Sequence, residues 1–375
     1  MTSIKLKSGK IIHHLDIKPR DIMYKSVCLF GPSSSGKSVI IRHLMNILRS
    51  HIDQVLVVSP TESANDAYKG IVPQSCIHSK FYLADPKIKK KQSDKECGQR
   101  FLRSLINRQE MLTSYCKKAN KLENLMMLYN RIDKSFRTEC DAILLKLRRN
   151  TDDAIAKIER DKQTRQMKDM KIQSIEQMHQ ECEIKVIKMY LDKGNDYLSR
   201  KYIKNEFNDD EKITYEYRNV NPQLLLIMDD LASIIKPFLN TEEMRSLFYQ
   251  GRHYSITIIL SCQSFDDLTP NICKQIFLNF FTTSGAAMSN FLRKSIRYSD
   301  EIEHQAKEAT DQIFKEKHQK LVFNRETETF YAFKAPLTGK FRFGSESLWE
   351  LCKKIENDGQ SLSKSNPYYD IFAND

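Results

Sequence analysis

The segment LFGPSSSGKSVII at residues 29–41 is the strongest indication of the fold of this chain. It satisfies the phosphate-loop (Walker A) pattern G-x-x-x-x-G-K-[ST] in full, with the residues Gly31, Pro32, Ser33, Ser34, Ser35, Gly36, Lys37 and Ser38. Backbone N–H groups of such a loop surround phosphate oxygens, and the positive end of the helix that follows points at them. The segment therefore predicts a nucleotide site in which Lys37 reaches the β- and γ-phosphates and the Ser38 hydroxyl binds Mg²⁺.

The residues around this loop alternate between strand and helix patterns. YKSVCLF at residues 24–30 is a short apolar run that ends at Gly31, which is typical of a buried strand. SVIIRHLMNILRS at residues 38–50 has apolar residues at helical spacing, and QVLVVSP at residues 54–60 is typical of a second strand. This strand–loop–helix–strand order predicts an α/β fold with a mostly parallel sheet and a right-handed crossover.

Composition limits the class of protein. The chain has 375 residues, of which 40% are hydrophobic and 29% charged, so a sizeable core is possible and wholesale disorder is excluded. The net charge of +12 favours a polyanionic partner, with nucleic acid ahead of a membrane surface. No two of the nine cysteines lie within four positions, which excludes a zinc knuckle and is typical of a reducing compartment.

The chain also lacks the pattern of a signal peptide. No run approaches the roughly 18 apolar residues that a membrane-spanning helix needs. We therefore expect a soluble, intracellular protein with no transmembrane segment.

A second motif, QLLLIMDD at residues 223–230, combines a buried strand with two acids at its carboxyl end. We expect Asp229 to lie beside the phosphate loop and to hold Mg²⁺, directly or through water. Asp230 is expected to activate the attacking water as a general base. The alternative is an acidic turn after a buried strand. A GTPase would carry a base-reading motif such as N-K-x-D, and the sequence has none.

A third stretch, QGRHYSITIILSCQS at residues 250–264, predicts a strand that ends in Gln263. At the sheet edge the Gln263 amide would orient the attacking water or sense the γ-phosphate. Arg252, just before this strand, is a candidate arginine finger for the nucleotide of a neighbouring subunit. Its alternative role is a charge at a helix carboxyl end. Arg293 and Arg297 are rival candidates for the finger.

The middle of the chain differs from the rest in its proline and glycine content. No proline occurs between Pro86 and Pro222, and no glycine between Gly98 and Gly194. This predicts two long helices with a turn at RRNTDDA, residues 148–154, where Asn150 or Thr151 would cap the second helix. The helices would form either a solvated hairpin or an arm that contacts DNA or another subunit. We expect the nucleotide domain to comprise residues 1–85 and 217–340. The hairpin-like insertion is expected at residues 86–216, and a terminal helix with a loose tail is expected at residues 341–375.

The order of these motifs resembles the FtsK–HerA superfamily of DNA-pumping ATPases, and within it the poxvirus-type genome-packaging ATPases of large double-stranded DNA viruses. VVSPTESANDAYKGIVP at residues 57–73 is also similar to that viral group. The resemblance implies a RecA-like (ASCE) P-loop fold that uses ATP and Mg²⁺. Two departures are Asp230, where the superfamily more often has Glu, and the long insertion, which matches no family element.

The resemblance further implies a homo-oligomeric ring, a hexamer or a pentamer, that moves double-stranded DNA into a capsid. Its expected partners are capsid portal or inner-membrane proteins, and its expected locations are the viral factory in the host cytoplasm and the virion. The cluster DPKIKKKQSDK at residues 85–95 is the candidate for contact with DNA phosphates, through Lys87, Lys89, Lys90 and Lys91. The alternative is a lysine-rich solvated loop.

Two other functions remain open from the residues themselves. One is a small-molecule or nucleotide kinase, which would work as a monomer without stimulation by DNA; Gln263 and the net positive charge argue against it. The other is a coiled-coil interaction protein that the nucleotide merely switches. The sequence favours an ATP-driven double-stranded DNA translocase that packages a viral genome.

Overall fold

The computed structural model of the chain describes residues 3–88, 90–119, 129–130, 134–162, 164–204 and 221–358. It separates into two compact units, one formed by Met1–Thr113 with Pro222–Asp375 and the other by Ser114–Asn221. The first unit extends to Thr113 because Phe101, Leu102 and Leu105 are buried in its core. The predicted limits of the nucleotide domain, residues 1–85 and 217–340, stay predictions.

The first unit contains a sheet that has ten strands among the described residues. The strands are β1 (Ile4–Lys5), β2 (Ile11–His14), β3 (Ser26–Phe30), β4 (Gln54–Val58), β5 (Ile77–His78), β6 (Leu224–Met228), β7 (Ile256–Cys262), β8 (Leu278–Phe281), β9 (Lys320–Asn324) and β10 (Thr329–Phe333). Their order across the sheet is β1-β2-β10-β9-β8-β3-β7-β6-β4-β5. The strands from β8 to β5 pair in parallel, whereas β9 is antiparallel to both β8 and β10.

The strand order defines the class of nucleotide fold. The phosphate loop follows β3, and the two acids follow β6. β7 lies between these strands, with Cys28 opposite Leu260 on one side and Leu226 opposite Ile258 on the other. A strand inserted between the phosphate-loop strand and the acidic strand is the arrangement of RecA-like (ASCE) P-loop NTPases. The predicted fold class is therefore confirmed.

Helices surround the sheet or form the second unit. The α-helices of the described residues are α1 (Pro19–Ile22), α2 (Lys37–Leu48), α3 (Glu62–Asn65), α4 (Asp94–Ala119), α5 (Lys134–Arg160), α6 (Arg165–Lys204), α7 (Ala232–Ile235), α8 (Glu242–Gln250), α9 (Pro270–Gln275), α10 (Ser284–Phe291), α11 (Asp300–Ile313) and α12 (Glu346–Asp358). Short 3-10 turns cover Gln74–Cys76, Lys236–Phe238, Gly251–Tyr254 and Phe265–Asp267. Thr241 caps α8, because its side chain accepts the Met244 N–H.

The central strands carry the core. Every residue of β3, β4, β6, β7 and β8 is buried. Their near-continuous apolar sequences follow from this burial, since parallel strands covered on both faces have no solvent side. The hairpin of β9 and β10 turns where the Asn324 side chain accepts the backbone N–H groups of Glu326 and Thr327.

The second unit contains α5 and α6, which pack antiparallel. Cys140 of α5 shares a small apolar cluster with Ile187 and Tyr190 of α6, and Thr151 Oγ1 lies 2.8 Å from His179 Nδ1 further along the pair. The turn predicted at residues 148–154 is wrong, because α5 runs through that stretch. Thr151 does not cap a new helix; its hydroxyl donates to the Leu147 carbonyl one turn earlier. The chain turns between α5 and α6 instead.

Membrane crossing sets a minimum length and apolar content for a helix. Across the described parts of the chain, none of the helices combines the two.

Candidate nucleotide site

The backbone of the loop at residues 31–38 leads from the end of β3 into a helix. Gly36 takes a left-handed conformation with φ +94° and leads directly into α2, whose first residue is Lys37. The Gly31 N–H donates to the Cys262 carbonyl at 3.2 Å, which ties the loop to the end of β7. The loop therefore lies at the carboxyl edge of the parallel sheet, where α/β folds bind ligands.

Lys37 lies within this loop. Its Nζ donates to the carbonyl oxygens of Gly31 at 2.7 Å and Pro32 at 3.0 Å. Burial lowers the pKa of Lys37, and the nearby carboxylates of Asp230 and Asp229 oppose that shift. The loop lysine and both acids of the second motif thus belong to one electrostatic site.

Two residues that the sequence analysis did not single out support the loop from the side of β8. Thr282 Oγ1 lies 2.7 Å from Ser35 Oγ, and Lys320 Nζ donates to the Ser35 carbonyl at 2.9 Å and to the Thr282 carbonyl at 3.1 Å. Burial lowers the pKa of Lys320. Lys320 is the first residue of β9, so this hairpin and the phosphate loop are directly joined.

Gly31 is the loop position with the least space. A Cβ there would lie 1.8 Å from Thr282 Oγ1, and its φ of +152° disfavours L side chains. We expect Gly31→Ala to lower the melting temperature by roughly 2 °C or more, because relieving such a contact costs about 1–3 kcal/mol. Differential scanning fluorimetry measures this. The matched control is Gly285→Ala, whose added Cβ has no neighbour within 4 Å; equal melting temperatures for the two variants would contradict the expectation.

The two acids after β6 occupy different surroundings. Asp229 is buried, and its Oδ2 accepts a 2.8 Å hydrogen bond from the Tyr68 hydroxyl. Burial, together with the adjacent Asp229, raises the pKa of Tyr68 well above its usual value, so Tyr68 stays a donor. Asp230 has a left-handed backbone with φ +53°, and its Oδ1 accepts a 2.8 Å hydrogen bond from Gln263 Nε2. The structure therefore brings Asp230 and Gln263 together at the ends of neighbouring strands.

The oxygen atoms of this site fit Mg²⁺. The metal prefers carboxylate and hydroxyl oxygens, and Asp229 and Ser38 offer these next to the loop that receives phosphate. Tyr68 occupies Oδ2 of Asp229, and no hydrogen-bond donor among the described residues occupies Oδ1. One carboxylate oxygen is thus available for the metal or for one of its water ligands.

The structure does not bring Arg252 to this site. Arg252 is exposed in the turn Gly251–Tyr254 before β7, at the amino edge of the sheet, whereas the phosphate loop is at the carboxyl edge. It lines a cavity of about 650 Å³ together with other basic residues, namely Lys25, His253, Lys274 and Arg325.

The rival finger candidates have other surroundings. Arg293 donates to the Phe265 carbonyl at 2.8 Å and also to the Leu268 carbonyl, and its guanidinium lies over the Phe265 ring. Arg297 is exposed.

The lysine cluster lies on the surface. Lys87, Lys90 and Lys91 are exposed, and Lys89 lies outside the described residues. Asp85 at the start of this loop accepts the Lys87 N–H and pairs with Arg100 of α4. These contacts fix the base of the loop and leave Lys87, Lys90 and Lys91 facing solvent.

Comparison with known proteins gives one group of relatives. The chain is 37% identical over 371 residues to African swine fever virus protein B354L from isolate Pig/Kenya/KEN-50/1950, covering 97% of both chains. B354L from isolate Warthog/Namibia/Wart80/1980 is 36% identical over the same length, again with 97% coverage of both chains. No family model matches the chain.

Three solved structures are also similar. The genome-packaging NTPase B204 of Sulfolobus turreted icosahedral virus 2 with ATP-gammaS has TM-score 0.34 and 13% identity, over 84% of this chain and 98% of that one. Plasmid coupling protein TrwB with a GTP analogue has TM-score 0.37 and 12% identity, over 90% of this chain and 91% of that one. Conjugation coupling protein TcpA from pCW3 has TM-score 0.38 and 11% identity, over 96% of this chain and 70% of that one. The motifs and the strand order of this chain define its RecA-like P-loop fold.

Proposed function

We propose that this chain, which belongs to the family of African swine fever virus protein B354L, is an ATPase that moves double-stranded DNA and packages a viral genome into a capsid. The observation that carries the proposal is the hydrogen bond between Gln263 and Asp230 beside a complete phosphate loop. It joins a candidate general base to the end of the strand inserted between β3 and β6. The net charge of +12 supports a polyanionic partner.

In the proposed reaction each residue acts at the position that the fold gives it. Loop N–H groups and Lys37 hold the phosphates of ATP, and Ser38 and Asp229 hold Mg²⁺. A Mg²⁺ ion held by these two side chains would neutralise charge that develops on the phosphate oxygens. Asp230 accepts the proton of the attacking water. Gln263 orients that water and, through its hydrogen bond to Asp230, reports whether the γ-phosphate is present.

The proposed assembly is a homo-oligomeric ring, a hexamer or a pentamer. In such a ring Arg252 serves as the arginine finger for a neighbouring subunit's ATP. Its position supports this role, because it is exposed at the amino edge of the sheet and so lies at the opposite edge from its own phosphate loop. The proposal extends to capsid portal or inner-membrane proteins as partners, and to the viral factory and the virion as locations.

DNA is proposed to contact the lysine cluster of Lys87, Lys89, Lys90 and Lys91. Lysines that meet only phosphates give binding that is independent of sequence and weakens with salt, as a motor that tracks along DNA needs. The three described lysines of the cluster project from a loop whose base is fixed by the Asp85–Arg100 pair.

The test is ATP hydrolysis by the purified chain with and without double-stranded DNA, at several salt concentrations. We expect stimulation by DNA that weakens steeply with salt, as binding to phosphates requires. Replacing Lys87, Lys90 and Lys91 together with alanine should reduce the slope of log affinity against log salt by about 0.9 for each DNA phosphate that the cluster neutralises in the wild type.

The charge-matched control replaces the exposed residues Lys294, Lys315 and Lys317 with alanine and should leave the slope unchanged. Equal slopes for the two triple variants would remove this cluster from the DNA surface. Robust hydrolysis indifferent to DNA would contradict translocation. Phosphate transfer to an acceptor would point to a kinase, and very slow hydrolysis without any response to DNA would point to a nucleotide switch.

A further inference from the structure

The segment SPTESANDAYKG at residues 59–70 follows β4 and has no role in the mechanism above. It forms the short helix α3, and after this helix Tyr68, which is 1% exposed, lies against the carboxyl end of β6, where the two acids are located. There the phenol donates to Asp229 Oδ2 at 2.8 Å. A residue far from Asp229 in sequence is thus in direct contact with the proposed metal ligand.

Tyr68 is held from its backbone as well. The carboxylate of Glu62, itself buried, accepts the Tyr68 N–H with Oε1 at 2.8 Å and the Ala67 N–H with Oε2 at 3.0 Å. Arg42 of α2 donates to the Ala67 carbonyl at 2.7 Å. α2 is the helix that begins at Lys37, so this small network joins the phosphate-loop helix to the acidic strand end through Tyr68.

A hydrogen bond to one oxygen fixes how a carboxylate is turned. Because Tyr68 occupies Oδ2, rotation of the Asp229 carboxylate is restricted and Oδ1 keeps one orientation. A ligand side chain that is held in this way has less rotamer freedom for metal binding to remove. Phenylalanine at position 68 would fill the same space and leave the carboxylate free to turn.

We propose that Tyr68 is a positioning residue that aims Oδ1 of Asp229 at the Mg²⁺ of bound nucleotide, and that Glu62 and Arg42 hold Tyr68 in place. The inference rests on the proposed ATP site and deepens it. It assigns the segment at residues 59–70 to metal-dependent nucleotide binding and separates it from the DNA surface.

The test measures the affinity for a fluorescent ATP analogue with Mg²⁺ and with EDTA, in wild type and in Tyr68→Phe. The ratio of the two affinities is the gain due to the metal. We expect this gain to fall about 10-fold in Tyr68→Phe, the effect typical of removing one hydrogen bond to a charged group. Affinity in EDTA should stay within about 2-fold, since the phenol does not contact the phosphate loop. A purely structural role would change both affinities or neither.

The matched control is Tyr24→Phe, which removes a hydroxyl that accepts from Gln223 at the other end of β3. It should keep the full gain. In the background of Asp229→Asn, Tyr68→Phe should have no further effect on the gain, because the two residues act through one contact. If Tyr68→Phe does not fold, Glu62→Gln is the second variant, and it should lower the gain in the same direction.

The outcomes separate this inference from the proposed function. A Tyr68→Phe protein with the wild-type gain would overturn the role of Tyr68 and leave the ATPase proposal standing. Wild-type protein that binds no nucleotide under either condition would overturn both. Loss of affinity in EDTA as well as in Mg²⁺ would identify Tyr68 as a packing residue.

Discussion

Alanine in place of Lys37 is expected to reduce ATP hydrolysis to background and to weaken nucleotide binding. In the proposed site this side chain supplies the positive charge at the β- and γ-phosphates, and removing one such preorganised group lowers the rate by about 100-fold or more. The substitution also deletes two hydrogen bonds to the carbonyls of Gly31 and Pro32. Phosphate release at steady state and binding of a fluorescent ATP analogue measure the two effects.

Two further variants make this result specific. Lys37→Arg retains the charge but not the compact ammonium group, so it should also be inactive. Lys294→Ala removes an exposed lysine elsewhere and should behave as wild type. The melting temperature of each variant shows whether loop collapse contributes. Lys37→Ala with hydrolysis within about threefold of wild type would mean that this loop is not the hydrolytic site, because a phosphate-loop lysine contributes far more than that.

The second large effect is expected from Asp230→Asn. Removal of a general base lowers the rate by about 10²–10⁴-fold, whereas nucleotide affinity should change little because Asn keeps the size and one oxygen acceptor. That oxygen can still accept from Gln263 Nε2, so the hydrogen bond between the strand ends persists. The expected signature is therefore a fall in kcat with unchanged KM.

Single-turnover hydrolysis measures the chemical step in isolation. Asp311→Asn, an exposed acid on α11, is the charge-matched control and should retain wild-type kcat. If Asp230→Asn kept its kcat while Asp229→Asn lost nucleotide affinity, the base would have to be another residue. A parallel loss of affinity in Asp230→Asn would place Asp230 in metal binding.

Local motifs explain what could be predicted from the sequence. The phosphate loop, the acidic strand end and the strand that ends in Gln263 are short runs whose chemistry depends on neighbouring residues. Their order along the chain carries the family resemblance that implied the RecA-like fold. Thr151 shows where local signals fail. Its capping chemistry predicts a turn, but in α5 the same hydroxyl is satisfied by the Leu147 carbonyl and lies against His179 of α6.

Three residues of the candidate site could not be predicted from the sequence, because their partners lie far away along the chain. Tyr68, Thr282 and Lys320 reach the loop or Asp229 from other strands and segments, and nothing adjacent to them in sequence reveals those partners. A buried tyrosine after a short helix is ordinary in any core. The similarity of residues 57–73 to viral packaging ATPases was the one signal that pointed to that segment, and it did not identify the hydrogen bond to Asp229.

The strand order also constrains how the molecule is made. β3 pairs on both sides with β7 and β8, which leave the ribosome only after the whole helical unit has been synthesised. Until then the nascent chain contains a complete phosphate-loop sequence without the Cys262 carbonyl that anchors Gly31 or the Thr282 hydroxyl beside Ser35. Pairings between residues so distant along the chain form slowly. A polypeptide truncated before β7 would thus contain the nucleotide-binding motif but lack the strand contacts that hold the loop in its folded conformation.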